Sequence, residues 1–123
     1  MTAKPAGNDR GRFDSAIGEL WEIGVVALGP LNSSVERSHE VLRAHVDRRF
    51  PGGMGSYLFW TAADSRAFDR DGSLGRTLTL HCSSDEVAAT AVALLQRHGV
   101  DAAAAPQPGT VAVFPPALAG RTR

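Results

Sequence analysis

One short pattern occurs twice in this chain, about fifty residues apart, and limits the fold more than any other feature. An apolar run ends at a Ser-Ser pair, a Glu stands three residues after the first Ser, and a segment of helical periodicity follows. The first copy leads from residues 21–28 into Ser33-Ser34-Val35-Glu36, and the second from 78–82 into Ser83-Ser84-Asp85-Glu86. In each, the first Ser can accept from the backbone N–H of the Glu while the Glu side chain reaches back to the Ser N–H. Two strand-then-helix units of matching size predict a small α+β domain with internal pseudo-symmetry.

The flanking segments fill in the order. Residues 21–28, Trp-Glu-Ile-Gly-Val-Val-Ala-Leu, read as a strand that is apolar on both faces in its second half, ended by Gly29-Pro30. A helix over 33–49 carries Val35, His39, Leu42 and Val46 on one stripe, and Pro51-Gly52-Gly53 stops it. Residues 56–62 form an aromatic strand, and the polar stretch 64–75 turns at Asp71-Gly72. In 76–82 the alternation sends Leu78, Leu80 and Cys82 to the core and Thr77, Thr79 and His81 to the other side. A second helix over 85–98 runs on Val87, Ala91, Leu94 and Leu95, and 110–114 is the last strand.

Strand, helix, strand, strand, helix, strand is the order of a ferredoxin-like βαββαβ sandwich: a four-stranded antiparallel sheet with two helices on one face. The order resembles that of the dimeric α+β-barrel group and, in coarser outline, of vicinal-oxygen-chelate modules; the resemblance is topological and carries no residue over. Residues 16–116 are expected to form the single domain, with flexible tails at 1–15 and 117–123.

At 123 residues with zero formal net charge, the chain lacks the basic surplus of a generic polyanion binder. The aromatic strand 56–62 contains no Arg or Lys, which also argues against single-stranded nucleic acid. A lone Cys82 excludes an intrachain disulfide and suits a reducing compartment. No apolar run approaches the roughly 18 residues of a membrane span, and residues 1–11 lack a signal-peptide core. A cytoplasmic location and no membrane partner are expected.

The face of such a sheet that no helix covers is the expected working surface, as a ligand cavity or a homodimer interface. His81 projects toward it and is the candidate catalytic acid/base. Tyr57, Trp60 and Trp21 are candidate substrate-binding residues, with the strand splitting into a Tyr57/Phe59 pair and a Leu58/Trp60 pair on opposite faces. Cys82, beside a helix N-terminus, has the setting of a thiolate but on the core face, away from His81. His39-Glu40 lacks the second His four residues on that a zinc-protease helix requires. His39, His45 and His98 have no metal-ligand spacing, so no metal and no cofactor is expected.

Two function classes fit. One is a cofactor-free enzyme performing cyclase- or isomerase-type acid–base chemistry on a hydrophobic metabolite. The other is a non-catalytic binding or regulatory module that uses the same face for an effector or partner protein.

Overall fold

The two strand–helix units are present in the computed structural model, which describes residues 9–50 and 55–115, but they are joined differently from the expectation. The order is α1 (Asp9–Glu22), β1 (Val25–Leu31), α2 (Val35–Arg49), β2 (Ser56–Thr61), α3 (Ala62–Ser65), β3 (Leu78–Cys82), α4 (Asp85–Arg97), β4 (Ala102–Ala104) and β5 (Thr110–Val113). The strands form one sheet in the order β1-β2-β3-β5-β4. β1 and β2 are parallel neighbours, and the remaining pairs are antiparallel. Among the described residues no helix is long and apolar enough to cross a membrane.

The α+β class holds, while the four-stranded antiparallel sheet with both helices on one face gives way to a mixed five-stranded sheet with helices on both faces. The cause is the direct pairing of β1 with β2. Parallel neighbours need a crossover, and α2 is that crossover, packed back on one face of the pair. Val26, Tyr57 and Phe59 meet Leu42 and Val46 of α2 on that face. The alternate residues Val25, Ala27, Leu58 and Trp60 join α1 and α4 on the other. β2 is therefore buried on both sides, as β1 is over Val25-Val26-Ala27.

Three elements were not anticipated. Helix α1 takes in residues 9–15, which composition assigns to a tail, and inserts Phe13, Ala16, Ile17 and Leu20 at helical spacing into the core. Strand β4, within a segment read as a connection, pairs with β5. Helix α3 starts directly from the end of β2. The outer stretches 1–8 and 116–123 and the Pro51-Gly52-Gly53 stop lie outside the described residues.

The N-caps of both long crossover helices fall one residue later than expected, while α4 begins at Asp85 as read. Ser34 and Ser84 are the N-caps, accepting from Arg37 N–H and Val87 N–H. The freed Ser83 instead ties α4 to the sheet: its Oγ accepts from Tyr57 N–H at 3.1 Å, and its own N–H donates to Tyr57 C=O at 2.9 Å.

The two edges of the sheet are covered by side chains. The Trp21 indole N–H donates to Ala27 C=O on β1 at 2.8 Å. On β4, Gln96 donates to Ala102 C=O at 2.9 Å, on the side turned away from β5, since Asp101 and Ala105 make the bonds toward it.

Candidate functional site

The half of the sheet beyond α2 is where titratable side chains meet. α2 covers β1 and β2 on its face, while β3 and β5 on that face present Thr79, His81, Thr110 and Ala112 along its flank. The antiparallel register sets His81 opposite Phe59. Their rings stack with centroids 5.0 Å apart and planes 23° from parallel.

Asp64 reaches His81 through a local rule. Thr61 ends β2 and caps α3, with Asp64 at the third helical position, so the two form a capping box. Asp64 Oδ2 accepts from Thr61 N–H at 2.9 Å and from Thr61 Oγ1 at 3.0 Å, and the same oxygen lies 3.0 Å from His81 Nε2. The carboxylate is thus fixed before it meets the imidazole. A carboxylate can only accept, so His81 donates through Nε2–H. The arrangement is a carboxylate-oriented imidazole, the means by which a histidine is held in one tautomer and its protonated form stabilised.

α2 contributes the second imidazole. Its inward stripe is Ser38, Leu42 and Val46, which turns His39 to the flank that faces β3. The His39 ring stands edge-on to Phe59, centroids 5.0 Å apart, and 6.5 Å from His81. Its Nδ1 lies 2.7 Å from the Tyr57 hydroxyl. Burial, followed by the neighbouring His81 and Arg43, holds His39 below the ordinary imidazole value, with Glu36 opposing. Burial likewise raises the Tyr57 phenol, with Arg43 opposing. Both groups are therefore held in their neutral forms near pH 7.

Two hollows flank this array. One, of about 520 Å³, lies at the carboxyl ends of β1 and β2 and is lined by Leu31, Ser34, Val35 and Thr61 among others. The other, of about 440 Å³, lies at the opposite end beside Arg43, Tyr57 and Ser83.

The four residues singled out from sequence separate. His81 and Tyr57 share this face. Trp60 is on the other side of the sheet, 5% exposed and edge-on to Phe13 at 5.0 Å. Trp21 lies along the outer edge of β1, in a hollow with His45 and Phe50. Trp60 cannot reach the surface that His81 faces because successive strand side chains alternate, and β2 has a helix layer on each side.

Cys82 is in the core, where burial pushes its thiol up to about 12, so the thiolate setting is cancelled by desolvation. His98 pairs with Glu19 of α1 at 2.8 Å, and Arg97 holds the other oxygen of Glu19 at 2.6 Å. Among the described residues no group of three or more His, Cys, Asp or Glu side chains is placed to hold a metal ion.

Sequence reasoning missed Asp64 and gave His39 no role. The signal for Asp64 was present as Thr61-Ala62-Ala63-Asp64, the short spacing of a capping box. Comparison with protein-family models, with curated proteins and with solved structures finds no match.

Proposed function

We propose that this protein handles a small hydrophobic metabolite by acid–base chemistry at His81, with Asp64 orienting the imidazole and no bound cofactor required. The observation that carries the reading is the 3.0 Å contact from Asp64 Oδ2 to His81 Nε2, with the carboxylate itself fixed by the Thr61 cap. An imidazole so held suits proton removal and return on one substrate, as in isomerisation or cyclisation, because Asp64 offsets the charge gained in the protonated state. Tyr57 and His39 form the neighbouring wall. A second copy seated on the uncovered half of the sheet would close the site from outside.

Near-complete burial of His81, 9% exposed, favours the other class, a binding module in which the dyad holds an effector without turnover. One experiment separates the two. The protein is incubated with a metabolite extract and followed by chromatography with mass detection, where isomerisation appears as changed retention at unchanged mass. Conversion that His81→Gln abolishes and Asp64→Asn slows about a hundredfold supports catalysis. Retention of a compound without conversion supports the binding module. Conversion indifferent to His81→Gln refutes the assignment.

A further inference from the structure

Three rings meet at the outer edge of β1 without touching one another. Trp21 from the last turn of α1, and His45 and Phe50 from the end of α2, line one hollow of about 230 Å³ with Val25, Val26 and Arg49. Elsewhere rings are packed on rings: Phe13 on Trp60 and Phe68, and His39 and His81 around Tyr57 and Phe59. Among the described residues, Trp21, His45 and Phe50 are in ring contact neither with each other nor with those two sets. The room between them is not filled by stacking.

Local structure explains how they come together. His45 and Arg49 are one turn apart on α2 and so share a flank. Phe50 caps that helix, its N–H donating to Val46 C=O at 2.7 Å. Trp21 is anchored by its edge, because the indole N–H is spent on Ala27 C=O at 2.8 Å. What the indole still offers is its ring face. Gly24, in the turn from α1 into β1, also lines the hollow, and a Cβ there would meet nothing within 4 Å. The approach beside it is open.

Two properties of the lining select an occupant. Val25 and Val26 are buried, yet Trp21 is 47% and Phe50 38% exposed, so a flat apolar group seated here removes apolar surface from water on several sides. The charge is of one sign. Arg49 is in the lining and no Asp or Glu is, and neither Arg49 nor His45 makes an ion pair among the described residues. A planar guanidinium at the rim of an aromatic hollow is complementary to a carboxylate carried on a ring.

We infer that this hollow binds a small aromatic carboxylate, its ring between Trp21 and Phe50 and its carboxylate on Arg49. A space of about 230 Å³ is below the range of drug-sized pockets, which limits the occupant to one or two rings. The site lies along the outer edge of β1, and β2 separates that strand from the one that carries His81. It therefore stands or falls independently of the acid–base reading of His81.

Tryptophan fluorescence with phenylacetate as the probe tests the site. Trp21 and Trp60 are the two tryptophans of the chain, and Trp60 is 5% exposed in the other layer. Phenylacetate, titrated at constant ionic strength, should move the Trp21 emission to shorter wavelength and half-saturate at about millimolar concentration. Phenylacetamide, the same ring without the charge, should bind about fivefold more weakly. Arg49→Gln should weaken phenylacetate by about fivefold and leave phenylacetamide unchanged. Cyclohexylacetate, charged but not flat, should bind about threefold more weakly than phenylacetate. In Trp21→Phe, the remaining Trp60 emission should not respond.

Equal affinity for acid and amide, or an unchanged affinity in Arg49→Gln, overturns the carboxylate assignment. Equal affinity for cyclohexylacetate overturns the aromatic one. No shift at about tenfold above millimolar phenylacetate, or a Trp60 response in Trp21→Phe, removes the site. An emission that shifts with protein concentration alone, with a dimer seen by sedimentation, gives the hollow to a second copy and overturns the ligand.

Discussion

The two faces of the sheet carry different work. On one, α1 and α4 together seal every strand, and the cluster that includes Phe13, Leu58, Trp60, Leu80, Leu95 and Val111 is apolar apart from Cys82. On the other, α2 alone covers β1 and β2, and a smaller cluster of Val26, Leu42, Val46, Tyr57 and Phe59 is bordered by His39, His81 and Asp64. A face closed by two helices has no boundary inside it at which a polar group can be both held and wetted. A face closed by one helix has such a boundary along the helix flank, and His39, His81 and Asp64 lie there. The larger apolar cluster and the His39–His81–Asp64 group are thus on opposite layers.

The division is best challenged by matched truncations. Leu80→Ala, beneath α1 and α4, should cost about 4 kcal/mol, because two helices prevent collapse into the space left. Leu42→Ala, under α2, should cost about 2 kcal/mol, since a single helix can settle. Urea denaturation measures both, and equal costs would erase the distinction. Gly29→Ala probes the sealed face by overfilling. A Cβ there would lie 2.3 Å from the Trp60 ring, which Phe13 backs. The expected loss is about 2–3 kcal/mol, and a neutral result would mean that face has slack.

Acid should act on the other face. His39 meets Tyr57, His81 with Asp64 behind it, and Arg43 and Glu36 on its own helix. Its folded value lies below the ordinary one, so the unfolded chain binds the proton more readily. The contribution of His39 is then fully present above about pH 6.5 and is lost as the pH falls through that range. Denaturation midpoints measured from pH 7.5 to 5 should fall, and His39→Gln should flatten part of the slope. An unchanged slope would remove His39 from the linkage.

The smallest effect is expected at Ser38. Its Oγ is buried on the α2 face without a partner among the described residues, so Ser38→Ala should be within about 0.5 kcal/mol of neutral or slightly stabilising. A loss above 1.5 kcal/mol would reveal a polar contact not accounted for.

Much of this was legible in the chain. The alternation of Leu78, Leu80 and Cys82 against His81 is as read, and the stripe of α4 holds Val87, Ala91, Leu94 and Leu95. Periodicity within one element survives whatever the neighbours are. What periodicity cannot show is which strands become neighbours. The unbroken Val25-Val26-Ala27 run signalled two-sided burial, yet the face chosen by α2 depended on β1 pairing with β2. Phe13, Ile17 and Leu20 read as a short lead-in docked on the core, while the charges and Gly11 and Gly18 concealed that the segment is a helix starting at Asp9.

The site shows the same limit. His81 and Tyr57 were recognisable as strand residues, but the partners that give them meaning are distant in the chain. Asp64 and His39 stand 17 and 18 residues from His81 and Tyr57 respectively. Strand pairing and the crossover bring them in, and neither leaves a mark on local composition.

The side-chain caps on the two outer strands have a consequence for how this protein behaves in a crowded solution. A sheet with bare edges is a template on which any extended chain can add itself, including a partly folded copy of the same protein. Trp21 and Gln96 each occupy a carbonyl that such an addition would need. Strand addition at either end must therefore first displace one of these side chains.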